Sequence, residues 1–113
     1  HALTFQHRDS RMLRDEHLRE LAGLPWLAEL NLSKAPIGDE GMRYLGLVKH
    51  LSRLVLNKTN VSDNGLAHLS ESTQLEWLSL HDTRNITGSG FVHLGKLRKL
   101  TGLGLTRSGI TDL

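Results

Sequence analysis

Seven histidines are the first side chains in this 113-residue sequence that could do chemistry. Two of them recur in similar surroundings, Gly65-Leu-Ala-His68-Leu69 and Gly90-Phe-Val-His93-Leu94. A pair of imidazoles falls short of the full tetrahedral ligand set of a closed zinc site. His68 and His93 are therefore read as surface residues, and no metal or other cofactor is expected. The chain has no cysteine, which excludes a disulfide scaffold, a thiolate metal site and a thiol nucleophile. Hydroxyls recur at Thr59, Thr83 and Ser108, but no histidine or acid recurs beside them as an activating base would. Gly88-Ser89-Gly90 is glycine-rich without the lysine of a phosphate loop, and neither H-E-x-x-H nor G-x-S-x-G occurs. These residues are not arranged for catalysis.

Composition narrows the classes further. Apolar residues make up 38 % and charged residues 23 % of the chain, the balance of a folded domain. No apolar run approaches the ~18 residues that cross a bilayer. A formal charge of +2 is too mild to imply nucleic acid. Neither membrane nor nucleic acid is an expected partner. Leucine is abundant while aromatics are only 4 %, and a core made of leucine points to repetition.

The repeat is 24 residues long. Leu27, Leu30, Leu32, Ile37, Asp39, Gly41, Met42 and Leu45 return as Leu51, Leu54, Leu56, Val61, Asp63, Gly65, Leu66 and Leu69. They return again as Leu75, Leu78, Leu80, Ile86, Gly90, Phe91 and Leu94, with one inserted residue near Arg84-Asn85. A last unit opens with Leu100, Leu103, Leu105 and Ile110 and stops at Leu113. Three complete repeats thus cover 27–99 and a partial one 100–113. Residues 1–26 form a degenerate N-terminal cap: Leu13, Asp15, Leu18, Leu21 and Leu24 keep register, but Gln6 and Arg8 stand where strand leucines belong. Within each unit the alternation Leu-x-Leu predicts a half-buried strand. The three-residue step of Phe91, Leu94 and Leu97 predicts a helical face. Gly38-Asp39, Ser62-Asp63 and Thr87-Gly88-Ser89 are candidate helix caps. Gly41, Gly65 and Gly90 mark close backbone approach between stacked units. The hydroxyls Thr59, Thr83 and Ser108 can satisfy backbone groups at the strand-to-loop corner.

The string Leu-x-x-Leu-x-Leu-x-x-Thr-x-Val/Ile-x-Asp-x-Gly-Leu/Met-x-x-Leu resembles the leucine-rich repeat superfamily, most closely its 24-residue bacterial "I-T-D-x-G-L" type. Ala35, Thr59, Thr83 and Ser108 replace the usual asparagine or cysteine of such repeats. The resemblance implies an α/β solenoid, a right-handed arc with a parallel sheet on its concave face and short helices on its convex face. It also implies a non-catalytic protein-binding module. The alternatives are a recognition arm of an enzyme complex, such as a ubiquitin-ligase-type adaptor, and a purely structural repeat.

Strand residues that alternate with the leucines face outward in three columns: Glu29, Arg53, Trp77, Gly102; Asn31, Val55, Ser79, Gly104; and Ser33, Asn57, His81, Thr106. Arg53, Asn57, Trp77, Ser79, His81 and Thr106 are the candidate ligand contacts. Trp77 is either a cation–π partner of Arg53 or a binding anchor. Gly102 and Gly104 suggest a hollow walled by Trp77 and His81. Lys34, Lys58, Arg84 and Arg107 form a basic rim, which is either a solvated edge or a strip that steers an acidic protein. Four strands span only ~15 Å, so a partner needing ~800 Å² must also engage that rim. The last strand, lacking a following unit, offers an open edge for a weak homodimer through residues 102–107.

Overall fold

Five strands of three residues each form one parallel sheet in chain order. They are β1 (Ala2–Thr4), β2 (Glu29–Asn31), β3 (Arg53–Val55), β4 (Trp77–Ser79) and β5 (Gly102–Gly104). The computed structural model describes residues 2–4 and 11–109. Gln6, Arg8, Ile110 and Leu113, and any helix after the last strand, lie outside the described residues. Each strand opens one coil of the array, so the coils are numbered here by their strands.

Register follows the repeat. Arg53, Leu54 and Val55 face Glu29, Leu30 and Asn31 on one side and Trp77, Leu78 and Ser79 on the other. Trp77 faces Gly102, 25 positions on, which accounts for the inserted residue. The insertion sits between Thr83 and Ile86, both fully buried and both in their repeat positions. The cap departs from the 24-residue period. A strand does form there, with Leu3 opposite Leu30, three residues before the place the 24-residue period assigns. Parallel pairing uses backbone N–H and C=O groups, so β1 can enter wherever the chain path allows, without a leucine template.

The core lies between the sheet and a layer of short helices. These are the 3₁₀ helix Asp15–Gly23, the α-helix Asp39–Leu45, the α-helix Asp63–Leu66 with its 3₁₀ continuation Ala67–Leu69, and the 3₁₀ helix Ser89–Leu94. A three-residue hydrophobic step suits 3₁₀ geometry, which turns every three residues. Leu30, Leu32, Leu54, Leu56, Leu78 and Leu80 are at most 2 % exposed, as are Met42, Leu45, Leu66 and Leu69. Burying each such side chain contributes about 1.5–3 kcal/mol. Leu103 of β5, by contrast, is 37 % exposed, and Leu100 and Leu105 are only partly buried.

Two polar rows brace the array, one within coils and one between them. Thr59 Oγ1 donates to Leu56 O (2.7 Å) and Thr83 Oγ1 to Leu80 O (2.5 Å), so each hydroxyl closes the corner of its own coil. The aspartates act between coils. Asp15 Oδ1 accepts the Gly38 N–H at 2.9 Å, and Asp39 accepts the N–H and hydroxyl of Ser62 at 2.8 and 2.5 Å. Asp63 accepts the N–H groups of Thr87, Gly88 and Gly90 and the Thr87 hydroxyl, over 2.6–3.1 Å. The sequence suggests that Asp39 and Asp63 serve their own helices; each carboxylate instead reaches the helix start of the following coil. Partial desolvation pushes the Asp63 carboxyl up, but the hydrogen bonds from Thr87, Gly90 and Gly88 together outweigh it and hold it at about 2. The glycine column now has its cause. A Cβ on Gly90 would stand 2.6 Å from the Asp63 carbonyl oxygen, and one on Gly41 would stand 2.6 Å from Asp15 Oδ1.

One buried oxygen is left out of this scheme. Ser72 is 2 % exposed and its hydroxyl has no partner among the described residues. Val48 and Leu97 fill the equivalent position in the neighbouring coils and are buried. Ser72→Val should therefore stabilise the chain by about 1 kcal/mol, by removing an unsatisfied hydroxyl and adding apolar contact. A higher urea midpoint at unchanged slope is the expected readout; a lower midpoint would mean that the site has no room for the extra methyl groups.

Candidate functional site

The strands set their outward side chains in rows that run across the sheet. In the first row Arg53 Nε lies 3.8 Å from Glu29 Oε1, and the Arg53 guanidinium lies over the Trp77 ring, 5.9 Å from its centroid. The Trp77 ring in turn rests on Gly102, where a Cβ would collide with ring atoms Cε3 and Cζ3. Exposed ion pairs contribute about 0–1 kcal/mol and exposed cation–π contacts ~0.5–1 kcal/mol, so this row orders a surface more than it stabilises the fold.

The third row is hydrogen-bonded. Asn57 Oδ1 accepts from Ser79 Oγ (2.7 Å) and from the His81 N–H (2.8 Å). His81 Nδ1 accepts the Thr106 N–H at 2.9 Å, which makes the ring neutral, with its proton on Nε2. A Cβ on Gly104 would stand 2.6 Å from that Nε2. The hollow expected over Gly102 and Gly104 is therefore absent. Trp77 and His81 do not wall it; they lie in it, because an adjacent glycine is the cheapest place for a large ring to settle.

The candidate contacts thus separate by burial. Arg53 and Thr106 are exposed, Asn57, Trp77 and His81 are partly buried, and Ser79 is only 3 % exposed. Ser79 supports Asn57 from below and presents almost no surface. The open depression of the sheet lies at the other end, over β1–β3. It has a volume of ≈ 190 Å³ and is lined by Ala2, Glu29, Leu30, Asn31, Arg53 and Val55. Val55 stands between Asn31 and Ser79 in the second column, and nothing in that spacing marked the depression beforehand.

The rim is built on unusual backbone. Lys34, Lys58, Asp82 and Arg107 have φ of 69°, 61°, 58° and 57°. A left-handed non-glycine residue costs roughly 1–2 kcal/mol. The sheet's own ladder enforces it: Lys34 N–H donates to Asn57 O, Lys58 N–H to His81 O and Asp82 N–H to Thr106 O, at 2.8–2.9 Å. The lysine side chains are exposed. Arg107 Nε pairs with Asp82 Oδ1 at 3.0 Å, and no ion pair engages Lys34, Lys58 or Arg84 among the described residues. Nothing in the sequence betrays this geometry except the recurrence of the position.

The helical face carries a cluster that sequence reasoning missed. Arg19 and Arg43 lie over the Tyr44 ring at 5.8 and 5.1 Å, and hydrogen bonds from Arg19 and then Arg43 hold its phenol below the usual value. His68 and His93 are exposed on this side, and no group of three potential metal ligands occurs among the described residues.

Stacked short strands, inward leucines and a turn-rich helical layer define a leucine-rich repeat solenoid. A family model described as Leucine Rich repeat matches residues 23–46. The crystal structure of an internalin, inlF, from Listeria monocytogenes is similar over 84 % of this chain, with a TM-score of 0.72 and 27 % sequence identity. The chain spans 26 % of that internalin's length. No curated protein matches the sequence.

Proposed function

We propose that the chain is a non-catalytic protein-binding module whose partner lies on the concave sheet face and extends over the basic rim. The observation that carries the reading is the row Glu29–Arg53–Trp77, held in place by contacts along its length and backed by the Asn57–His81–Thr106 row. Side chains already fixed in the free protein lose little entropy on binding, which favours recognition. The likeness to leucine-rich repeats and to an internalin supports the same class. Small sheet area explains the need for the rim: five strands at ~4.8 Å spacing cover less than the ~800 Å² of a stable interface.

The test is quantitative binding of a captured partner by calorimetry, with circular dichroism confirming that each variant is folded. Trp77→Ala should cost about 2 kcal/mol of affinity, as a central aromatic anchor does. Reversing Lys34, Lys58, Arg84 and Arg107 should weaken binding and flatten its salt dependence. Unchanged affinity in both variants would move the interface to the helical face and sink the proposal.

A further inference from the structure

We propose that His81 makes the joint between the fourth and fifth coils a proton-operated latch, which opens when the imidazole takes a second proton. The joint differs from the others on its helical side. Asp15, Asp39 and Asp63 each clasp the coil that follows, but Gly88 stands at their repeat position and has no side chain to reach across. Among the described residues the hydrogen bonds that cross the joint lie on the sheet side and at its rim, and beyond them Gly109 abuts the Arg84 and Ile86 carbonyls.

There, the same ladder position is filled differently at two successive joints. Between the third and fourth coils, Asn57 Oδ1 accepts the N–H of His81 at 2.8 Å. Between the fourth and fifth, His81 Nδ1 accepts the N–H of Thr106 at 2.9 Å. An amide oxygen accepts at any pH, whereas an imidazole nitrogen accepts only while unprotonated. The proton is already on Nε2, so a second one goes to Nδ1 and sets one N–H against another. Histidine is the side chain that gains this proton in mild acid. The charged groups around His81 are Lys58 on the third coil, whose N–H bonds the His81 carbonyl, Asp82 beside it, and Arg107 on the fifth coil. Asp82 is paired with Arg107 at 3.0 Å, and the guanidinium offsets the pull of that carboxylate on an imidazolium. Closure of the latch and the second proton exclude each other. Opening would release the Thr106 N–H and leave this end of the rim held by the Asp82 N–H to the Thr106 carbonyl and by the Asp82–Arg107 pair, a looser joint whatever partner the surface serves.

Amide exchange followed by NMR, with each rate referred to its intrinsic value at that pH, tests the latch in the whole chain. Between pH 7.5 and 5.5 the protection of the Thr106 amide should fall at least tenfold, while that of the His81 amide, bonded to Asn57, should change less than twofold. His81→Asn places the third coil's acceptor at the fourth, so Thr106 should stay protected at both pH values. The long-range ¹⁵N spectrum should show the proton of His81 on Nε2 at pH 7.5. Thr106 protection that ignores pH, pH dependence that survives His81→Asn, or a proton on Nδ1 at pH 7.5 would each overturn the proposal. If His81→Asn fails to fold, the tautomer and the exchange of the unaltered chain decide the matter on their own.

Discussion

Asp63→Ala should lower the unfolding free energy by about 2–3 kcal/mol at neutral pH, because hydrogen bonds to a charged acceptor are the costly ones to remove. Three N–H groups and the Thr87 hydroxyl lose their acceptor in that variant. The loss should concentrate in the joint between the third and fourth coils. Asp63→Asn keeps one acceptor oxygen and should lose about half as much. The effect also has a pH signature. The folded carboxyl titrates at about 2, below the ~3.9 of an unfolded aspartate. A depressed value means that its contribution is complete above pH ~4 and fades as the pH falls toward ~2. Because the side chain is largely solvated, that titrating share should be no more than about 1 kcal/mol. Urea unfolding at several pH values checks this. The gap between the unaltered chain and Asp63→Asn should be constant from pH 7 to 5 and narrow below pH 4; a gap that widened in acid would contradict the assignment.

Gly102→Val should expel the Trp77 ring from its seat, since a Cβ there would collide with the ring itself. The cost to stability should be about 1–3 kcal/mol, the usual range for overpacking, and at the low end because a partly exposed ring can swing into water. The larger consequence is for the surface. Trp77 would leave the Arg53 guanidinium, breaking the row at its centre. Tryptophan emission should shift to the red, read in a Trp26→Phe background because Trp26 is itself 46 % exposed. Binding of a sheet-face partner should fall about as far as with Trp77→Ala. Unshifted emission with normal binding would show that the indole does not rest on Gly102.

The parts of the structure that depend on side-chain type were legible in the sequence. Leu54 and Leu78 are buried where the alternation places them, and Gly65 and Gly90 are glycines because the preceding coil touches them. What the sequence hid was partnership at a distance. An aspartate before a helix reads as a cap for that helix, and only the stacking reveals that Asp39 serves Ser62. Two glycines read as space, until neighbouring rings are seen to fill it. Lysine carries no preference for the left-handed region, so Lys34 and Lys58 gave no warning of their backbone. The strand of the cap left no mark in the repeat, because β1 pairs through its backbone and answers to no period.

The aspartate row has a direction. Every carboxylate lies on an earlier coil and every group it satisfies lies on a later one. A coil therefore inherits its helix cap from the one before it, and only its strand-side N–H groups look to the one after. Chain emerging from a ribosome in the same order would find each cap already in place, so the array can close turn by turn without waiting for its far end. Trimming is unequal for the same reason. Losing the last coil costs the Leu80 and Asp82 N–H groups their carbonyl partners but leaves every described helix start its carboxylate, whereas losing the first withdraws Asp15 from Gly38 and leaves the next helix start bare.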